Sequence, residues 1–99
     1  MSKKIKAIKV LGMKYKVFKL PKKHKRLNDR NESYYAVIAN SKNEIYIRDD
    51  ISKERFDGSI LHEVIHSVDV ELSLGLEEET IMRLTSGLRS AGVHIDLKH

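Results

Sequence analysis

Apolar and basic residues nearly alternate from Ile5 to Leu11 and again from Lys14 to Leu20, with Gly12-Met13 between the two runs. A period of two belongs to a strand that turns one face to a core, so the spacing predicts a strand pair. Residues 21–33, PKKHKRLNDRNES, show no periodicity and many turn formers, which predicts a loop of a length that tends to be functional or mobile. Two further short strands are expected from Tyr34 to Ala39 and from Glu44 to Arg48, joined by a hairpin turn at Asn40-Ser41-Lys42-Asn43. The pattern changes at Asp50. Ser52 has the chemistry of an N-cap, Glu54 falls in the first turn, and helical spacing runs through about Leu72 despite the cost of Gly58 in the interior. A second helix is expected from about Glu77 to Ser90, with Ile81, Leu84 and Leu88 as one buried stripe and Gly92 marking its end. The order is four strands and then two helices, which predicts an α+β fold with a small, largely antiparallel sheet.

Composition narrows the class. A chain of 99 residues has room for one domain, expected to span 1–99, and for one site. With 40% hydrophobic and 33% charged residues and a single proline, the composition is that of an ordinary globular domain. No stretch approaches the roughly 20 apolar residues of a membrane-spanning helix. The first apolar residues alternate with lysines, unlike a signal-peptide core, so a cytoplasmic protein without membrane contact is expected. There is no cysteine, which excludes disulfides, a thiolate nucleophile and cysteine-type zinc sites. Any metal must be held by histidine and carboxylate.

The net charge of +5 conceals an asymmetry: residues 1–30 hold twelve of the 19 Lys and Arg and one acid, Asp29, while the remainder is net acidic. Such a basic segment could make weak, non-specific contact with nucleic acid. The reading preferred is solvation of strand faces and edges, because Lys14, Lys16 and Lys19 fall between Tyr15, Val17, Phe18 and Leu20 much as outward residues would.

Within the first expected helix lies His62-Glu63-Val64-Ile65-His66, an H-E-x-x-H sequence. Residues four apart in an α-helix differ by about 40° around the axis and about 6 Å along it, so both imidazoles can converge on one ion. Glu63 lies about 60° from His66, on the flank of that face, where a carboxylate can act as general base on a water without being a ligand. Leu61, Val64, Ile65, Val68 and Leu72 cluster on the other side, roughly 200° to 300° from His62. One side of the helix is made for a core and the other for a cleft.

A catalytic zinc site usually takes three protein ligands. Asp69 and Leu72 stand where H-E-x-x-H-x-x-G-x-x-H would require Gly and His, so that pattern is excluded. The next acids are Glu77-Glu78-Glu79, after a connection short enough to fold the second helix back on the first. Glu79 points away from the Ile81, Leu84 and Leu88 stripe and is the poorest of the three; helical bearing mildly favours Glu77 over Glu78.

The segment from Ile47 through Leu88 resembles the short phage and prophage zinc metallopeptidases related to the ImmA/IrrE type, minimal gluzincins. The resemblance is carried by Ile45 and Ile47 in a short strand, Leu61-His-Glu-Val-Ile-His66, and Glu78-x-x-Ile81-x-x-Leu84-Thr85-x-x-Leu88. In larger relatives the third ligand opens an E-x-x-A-N-x-F-A-x-x-L segment, and Glu78 is the matching position. The chain departs in having Ile81-Met82 for Ala-Asn and a short run from His66 to the third acid. The resemblance implies a zincin-like domain with His62, His66 and Glu78 on zinc, Glu63 as catalytic base, and a peptide or protein substrate.

Around that core, the strand Glu44 to Arg48 is expected to border the cleft and to pair with an extended substrate. Tyr34, Tyr35 and Tyr46 are all available to stabilise an oxyanion, with nothing to choose among them. Asp69, three residues after His66, either orients a ligand or is a surface carboxylate. His24, His94 and His99 have no partner spacing and are expected to be exposed. Two rival readings are a basic nucleic-acid-binding module with a structural metal, and an inactive zincin-like scaffold that binds a protein partner.

Overall fold

The computed structural model describes residues 3–29 and 32–95 and is α+β, with a four-stranded, mostly antiparallel sheet followed by two helices. His99, expected to be exposed, lies outside the described residues.

Strands β1 (Lys3–Val10) and β2 (Met13–Leu20) form an antiparallel hairpin in which Val10 pairs with Met13. The turn is Leu11-Gly12, one residue earlier than the sequence suggests, and both residues take positive φ, 51° and 81°. That is the backbone of a type I′ turn, whose twist matches the strands it joins. The loop after β2 is not the bare segment expected. A turn of 3₁₀ helix at Lys25–Leu27 leads into a two-residue ladder of β3 (Asn28–Asp29) with β4 (Glu32–Ser33). Leu27 is fully buried against Leu20 and Tyr46, and the Asn28 side-chain amide donates to the carbonyls of Lys22 and His24 at 2.9 and 2.8 Å. One apolar anchor and these hydrogen bonds pin the loop. His24 is correspondingly half-buried, its Nδ1 accepting from the Arg26 amide at 3.1 Å; His94 is exposed as expected.

Strands β5 (Ala36–Ala39) and β6 (Glu44–Arg48) make the expected hairpin, and β6 pairs in parallel with β2, giving the order β1-β2-β6-β5. Central β6 is covered on both faces, which is why Ile45, Tyr46 and Ile47 are buried in succession. Ile45 and Ile47 join Ile8, Val10, Tyr15 and Val17 on the face that meets the long helix; Tyr46 joins Leu20 and Leu27 on the opposite face. The strand lysines divide accordingly. Lys9, Lys14 and Lys16 are exposed, but Lys19 shares the parity of Tyr15 and Val17 and is half-buried, its Nζ 5.2 Å from the centre of the Phe56 ring. An alkyl stem can lie along apolar surface while its ammonium stays at the edge, so Lys19 covers the core rather than pointing away from it.

Helix α1 (Lys53–Leu72) is capped by Ser52, whose hydroxyl accepts from the Arg55 amide at 3.2 Å. It lays Ile60, Val64 and Val68 on the sheet, while Leu72 at its end is exposed. A wholly buried hydrogen bond from Ser67 Oγ to Tyr15 Oη, 2.9 Å, ties α1 to β2. Helix α2 (Glu78–Ser90) folds back onto α1 after a tight connection. Only its Ile81 is buried; Leu84 and Leu88 remain 43% and 36% exposed, so the expected three-residue stripe is reduced to a single anchor. Among the described residues the main packing partner of α2 is α1, which covers Ile81 and leaves its outer half open.

The Ser67–Tyr15 bond is expected to matter for stability and not for ligand geometry. Tyr15→Phe should cost about 1–2 kcal/mol by leaving a buried hydroxyl short of its partner. The check is the urea midpoint at unchanged slope; a midpoint equal to that of the parent would show that the bond contributes nothing net.

Candidate metal centre

Two helices bring the three residues of the site together. The helical interval of four places His62 and His66 on one face of α1, with Nε2 atoms 3.1 Å apart. Glu78, the first residue of α2, reaches across the helix pair. Its Oε1 is 2.8 Å from His62 Nε2, and its Oε2 is 2.9 Å from His66 Nε2. Donors bonded to a zinc-sized cation at about 2.0–2.1 Å in a tetrahedron stand about 3.3 Å apart, so the two Nε2 atoms and Glu78 Oε1, which is 3.3 Å from His66 Nε2, need to separate by at most a few tenths of an ångström to share one. His62, His66 and Glu78 could therefore hold a metal ion. Burial depresses the His62 pKa, against the pull of the Glu78 charge, and so favours the neutral imidazole that ligates metals.

The choice among the three glutamates has a clear structural reason. Glu77 is the N-cap of α2 with extended backbone, φ −76° and ψ 153°, and its side chain makes no cap hydrogen bond. A residue in that conformation does not follow the helical bearing that favoured it. Glu79 instead pairs with Arg83 at 2.6 Å on the outer surface.

The connection that delivers Glu78 is fixed by Ser73 and by Asp69, in a role the sequence pattern did not give it. Helix α1 ends on Ser73 in the left-handed conformation, with the Leu74 amide donating to the Asp69 carbonyl at 3.0 Å. The Asp69 carboxylate then accepts from the Leu76 amide at 2.9 Å. Asp69 is neither a surface carboxylate nor a partner of an imidazole: it holds the turn from which α2 starts. Neither its spacing nor its neighbours announce that role.

Glu63 lies one step around α1 and is nearly buried, 8% exposed. Burial, with the Glu78 charge second, pushes its carboxyl up to about 8. It is not among the converging donors, yet it lines the same cleft as His62. That cleft consists of two hollows of about 820 Å³ each that share Tyr34, Ala36, His62 and Glu63 as common wall. One extends past His66 and Glu78 toward Lys25 and Arg26, the other past the first turns of α1 toward the end of α2.

Strand β5 forms the rim, not β6 as the sequence suggests: β6 has its backbone paired on both sides, by β2 and by β5, and β5 is the sheet edge beside the cleft. The three tyrosines also separate. Tyr46 is on the far face, stacked on Phe18 and hydrogen-bonded to Glu44, and Tyr35 lies within 4.7 Å of the guanidinium carbons of both Arg48 and Arg55. Tyr34 alone lines both hollows, its hydroxyl donating to Glu32 at 2.7 Å, a bond that raises the phenol pKa and keeps it protonated.

No protein-family model, curated protein or solved structure is significantly similar to this chain.

The donor set can be checked residue by residue. Glu78→Ala should lower cation affinity sharply and reduce the melting temperature of the metal-loaded protein, because binding to the native state alone adds directly to its stability. Glu79→Ala should do neither. Glu77→Ala should cost at most about 1 kcal/mol, through the helix terminus, with metal retained. The measurement is metal affinity and melting temperature for the three variants with and without chelator; loss of metal only in Glu77→Ala would move the third ligand by one residue.

Proposed function

We propose that the chain is a zinc-dependent metallopeptidase of the minimal gluzincin kind, related to the ImmA/IrrE type. The observation that carries this reading is the open geometry. Three donors of the type and number of a catalytic zinc site, His62, His66 and Glu78, face a cleft that contains a buried carboxylate, Glu63, outside the donor set. A structural zinc site is usually closed by four protein ligands, and a surface cluster without function has no need of a buried acid.

Zinc held there would supply Lewis acidity toward water and toward the scissile carbonyl. Glu63 takes the proton from the attacking water and returns it to the leaving amine. Edge strand β5 offers its unpaired backbone to an extended peptide, and Tyr34, the one tyrosine of the three on the wall common to both hollows, would turn its hydroxyl from Glu32 to donate to the oxyanion. His62 and His66, fixed by one helix, and Glu78, fixed by the Asp69 turn, need little rearrangement to bind.

Protein prepared without chelator is expected to carry about one zinc per chain, the normal stoichiometry of a three-ligand site. Glu63→Gln should keep that zinc and the fold while losing hydrolysis of a peptide library. A variant that loses its zinc makes Glu63 a ligand. Bound zinc in the parent protein with no turnover on any peptide would favour a protein-binding scaffold.

The basic N-terminal segment belongs, in this reading, to the sheet surface. Its binding to duplex DNA should be weak, indifferent to sequence and steeply lost with added salt. Tight sequence-selective binding at physiological salt, measured by titration of labelled duplexes, would instead make the metal a structural element of a nucleic-acid-binding module.

A further inference from the structure

The hollow on the α1 N-terminal side of the metal centre has a chemistry of its own. Arg55, from the first turn of α1, and Arg89, from the last turn of α2, both line it, and neither forms an ion pair with any described residue. Arg48 nearby is different, since Asp50 neutralises it through two hydrogen bonds of 2.8 and 2.7 Å. Arg55 is instead held against the Tyr35 ring, 4.6 Å from its centre, and Arg89 is steadied by one hydrogen bond of 3.1 Å to the Glu54 carbonyl. Both guanidiniums are thus positioned by contacts that leave their charge uncompensated. The one carboxylate on this wall other than Glu63 is that of Glu54, which is exposed. Two unpaired cations stand out here, because residues 31–99 as a whole carry more acidic than basic residues.

Gly58 adds an independent observation. It stands one turn before His62 on α1 and lines the same hollow. Glycine weakens a helix interior, so its presence needs a reason. Crowding is not the reason: a Cβ at this position would meet only Arg89 Nε, at an ordinary 3.9 Å. What the missing side chain does is leave open the space beside the Arg89 guanidinium, in line with the metal ligands along the helix.

We propose that this hollow is a carboxylate-recognition subsite, in which Arg55 and Arg89 bind an acidic group of the substrate next to the bond to be cut. The inference rests on the peptidase reading for the words "substrate" and "cut", but not for the binding itself. An acidic side chain within a peptide and a free C-terminal carboxylate offer the same chemistry, and a guanidinium binds either through charge-assisted hydrogen bonds. Ser59, Ser86 and Ser90 on the same wall supply further hydrogen-bonding groups around the anion.

The test is equilibrium binding to the zinc-loaded Glu63→Gln full-length protein, which separates recognition from turnover. The probes are peptides in matched pairs, Glu against Gln at each position in turn, each made with a free C-terminus and with a C-terminal amide. The expected result is one carboxylate, internal or terminal, that improves affinity by about tenfold over its neutral counterpart, an advantage that shrinks as salt is added. A preference within the amidated series assigns the acidic side chain, and one for free acid over amide whatever the sequence assigns the terminus. Arg55→Gln with Arg89→Gln should bring that ratio close to one with zinc content unchanged. Gly58→Leu, which keeps both cations and fills the space between them and His62, should do the same. Equal binding of charged and neutral partners by the parent protein, or a ratio that survives both variants, would overturn the subsite. Either result would leave the peptidase reading standing if the protein with Glu63 intact cleaves the same peptides; a carboxylate preference without cleavage by that protein would uphold the subsite and overturn the peptidase reading.

Discussion

The candidate metal centre depends on the grip of the sheet on the other side of α1. Ile60, Val64 and Val68 lie against Ile8, Tyr15, Val17, Ile45 and Ile47, and Ser67 is hydrogen-bonded to Tyr15 within that contact. A helix of 20 residues in so small a protein has no stability to spare on its own, and most of what keeps it straight is tertiary packing. Because the buried and the exposed sides belong to the same rigid turn, fixing one fixes the other: Ser67 is the residue after His66, and Leu61 the residue before His62. The position of the two imidazoles is set from behind.

The same packing determines the state of Glu63. Set near the core side of the site, the carboxyl is pushed to about 8 by burial and by the Glu78 charge, so at neutral pH the cation-free chain keeps it mostly protonated. A cation held by His62, His66 and Glu78 would offset the Glu78 charge and favour the ionised form against the effect of burial. In the proposed reading the capacity of Glu63 to accept a proton would be tied to occupancy of the candidate site, and it depends on the depth at which α1 seats the acid.

Much of this was legible in the sequence, and the misses have physical causes. The Ser52 cap and the four-residue interval from His62 to His66 are local properties, and each stands in the structure where its spacing places it, while strand parity holds for Lys14 and Lys16 and fails at Lys19. Tertiary choices were less visible. Parallel pairing of β2 with β6 joins segments far apart in the chain, so nothing within Glu44 to Arg48 shows that β6 is central; the one available signal was the unbroken apolar run Ile45-Tyr46-Ile47. Leu84 and Leu88 have the spacing of a buried stripe, but periodicity cannot show that the described residues leave them partly exposed. Leu27 hid in a loop because one anchor has no period. Helical bearing misled at Glu77 because the N-cap stands outside the helix whose geometry was applied to it.

The turn between α1 and α2 bears on how such a site tolerates change. Glu78 follows His66 by twelve residues, and by chain statistics alone even doubling that span would cost only about 0.6 kcal/mol of closure entropy. Length is therefore a weak restraint on the chelate. Stiffness is the strong one: Ser73 in its left-handed conformation and the Asp69 clasp on the Leu76 amide prescribe the direction in which the next helix leaves, and so where its first carboxylate arrives. A lineage could lengthen this link or graft a new module onto it at small thermodynamic cost, provided that the clasp is kept. A single exchange at Asp69, which touches neither Glu63 nor any of the three converging donors, would turn a preorganised third donor into a tethered one that has to search for its place.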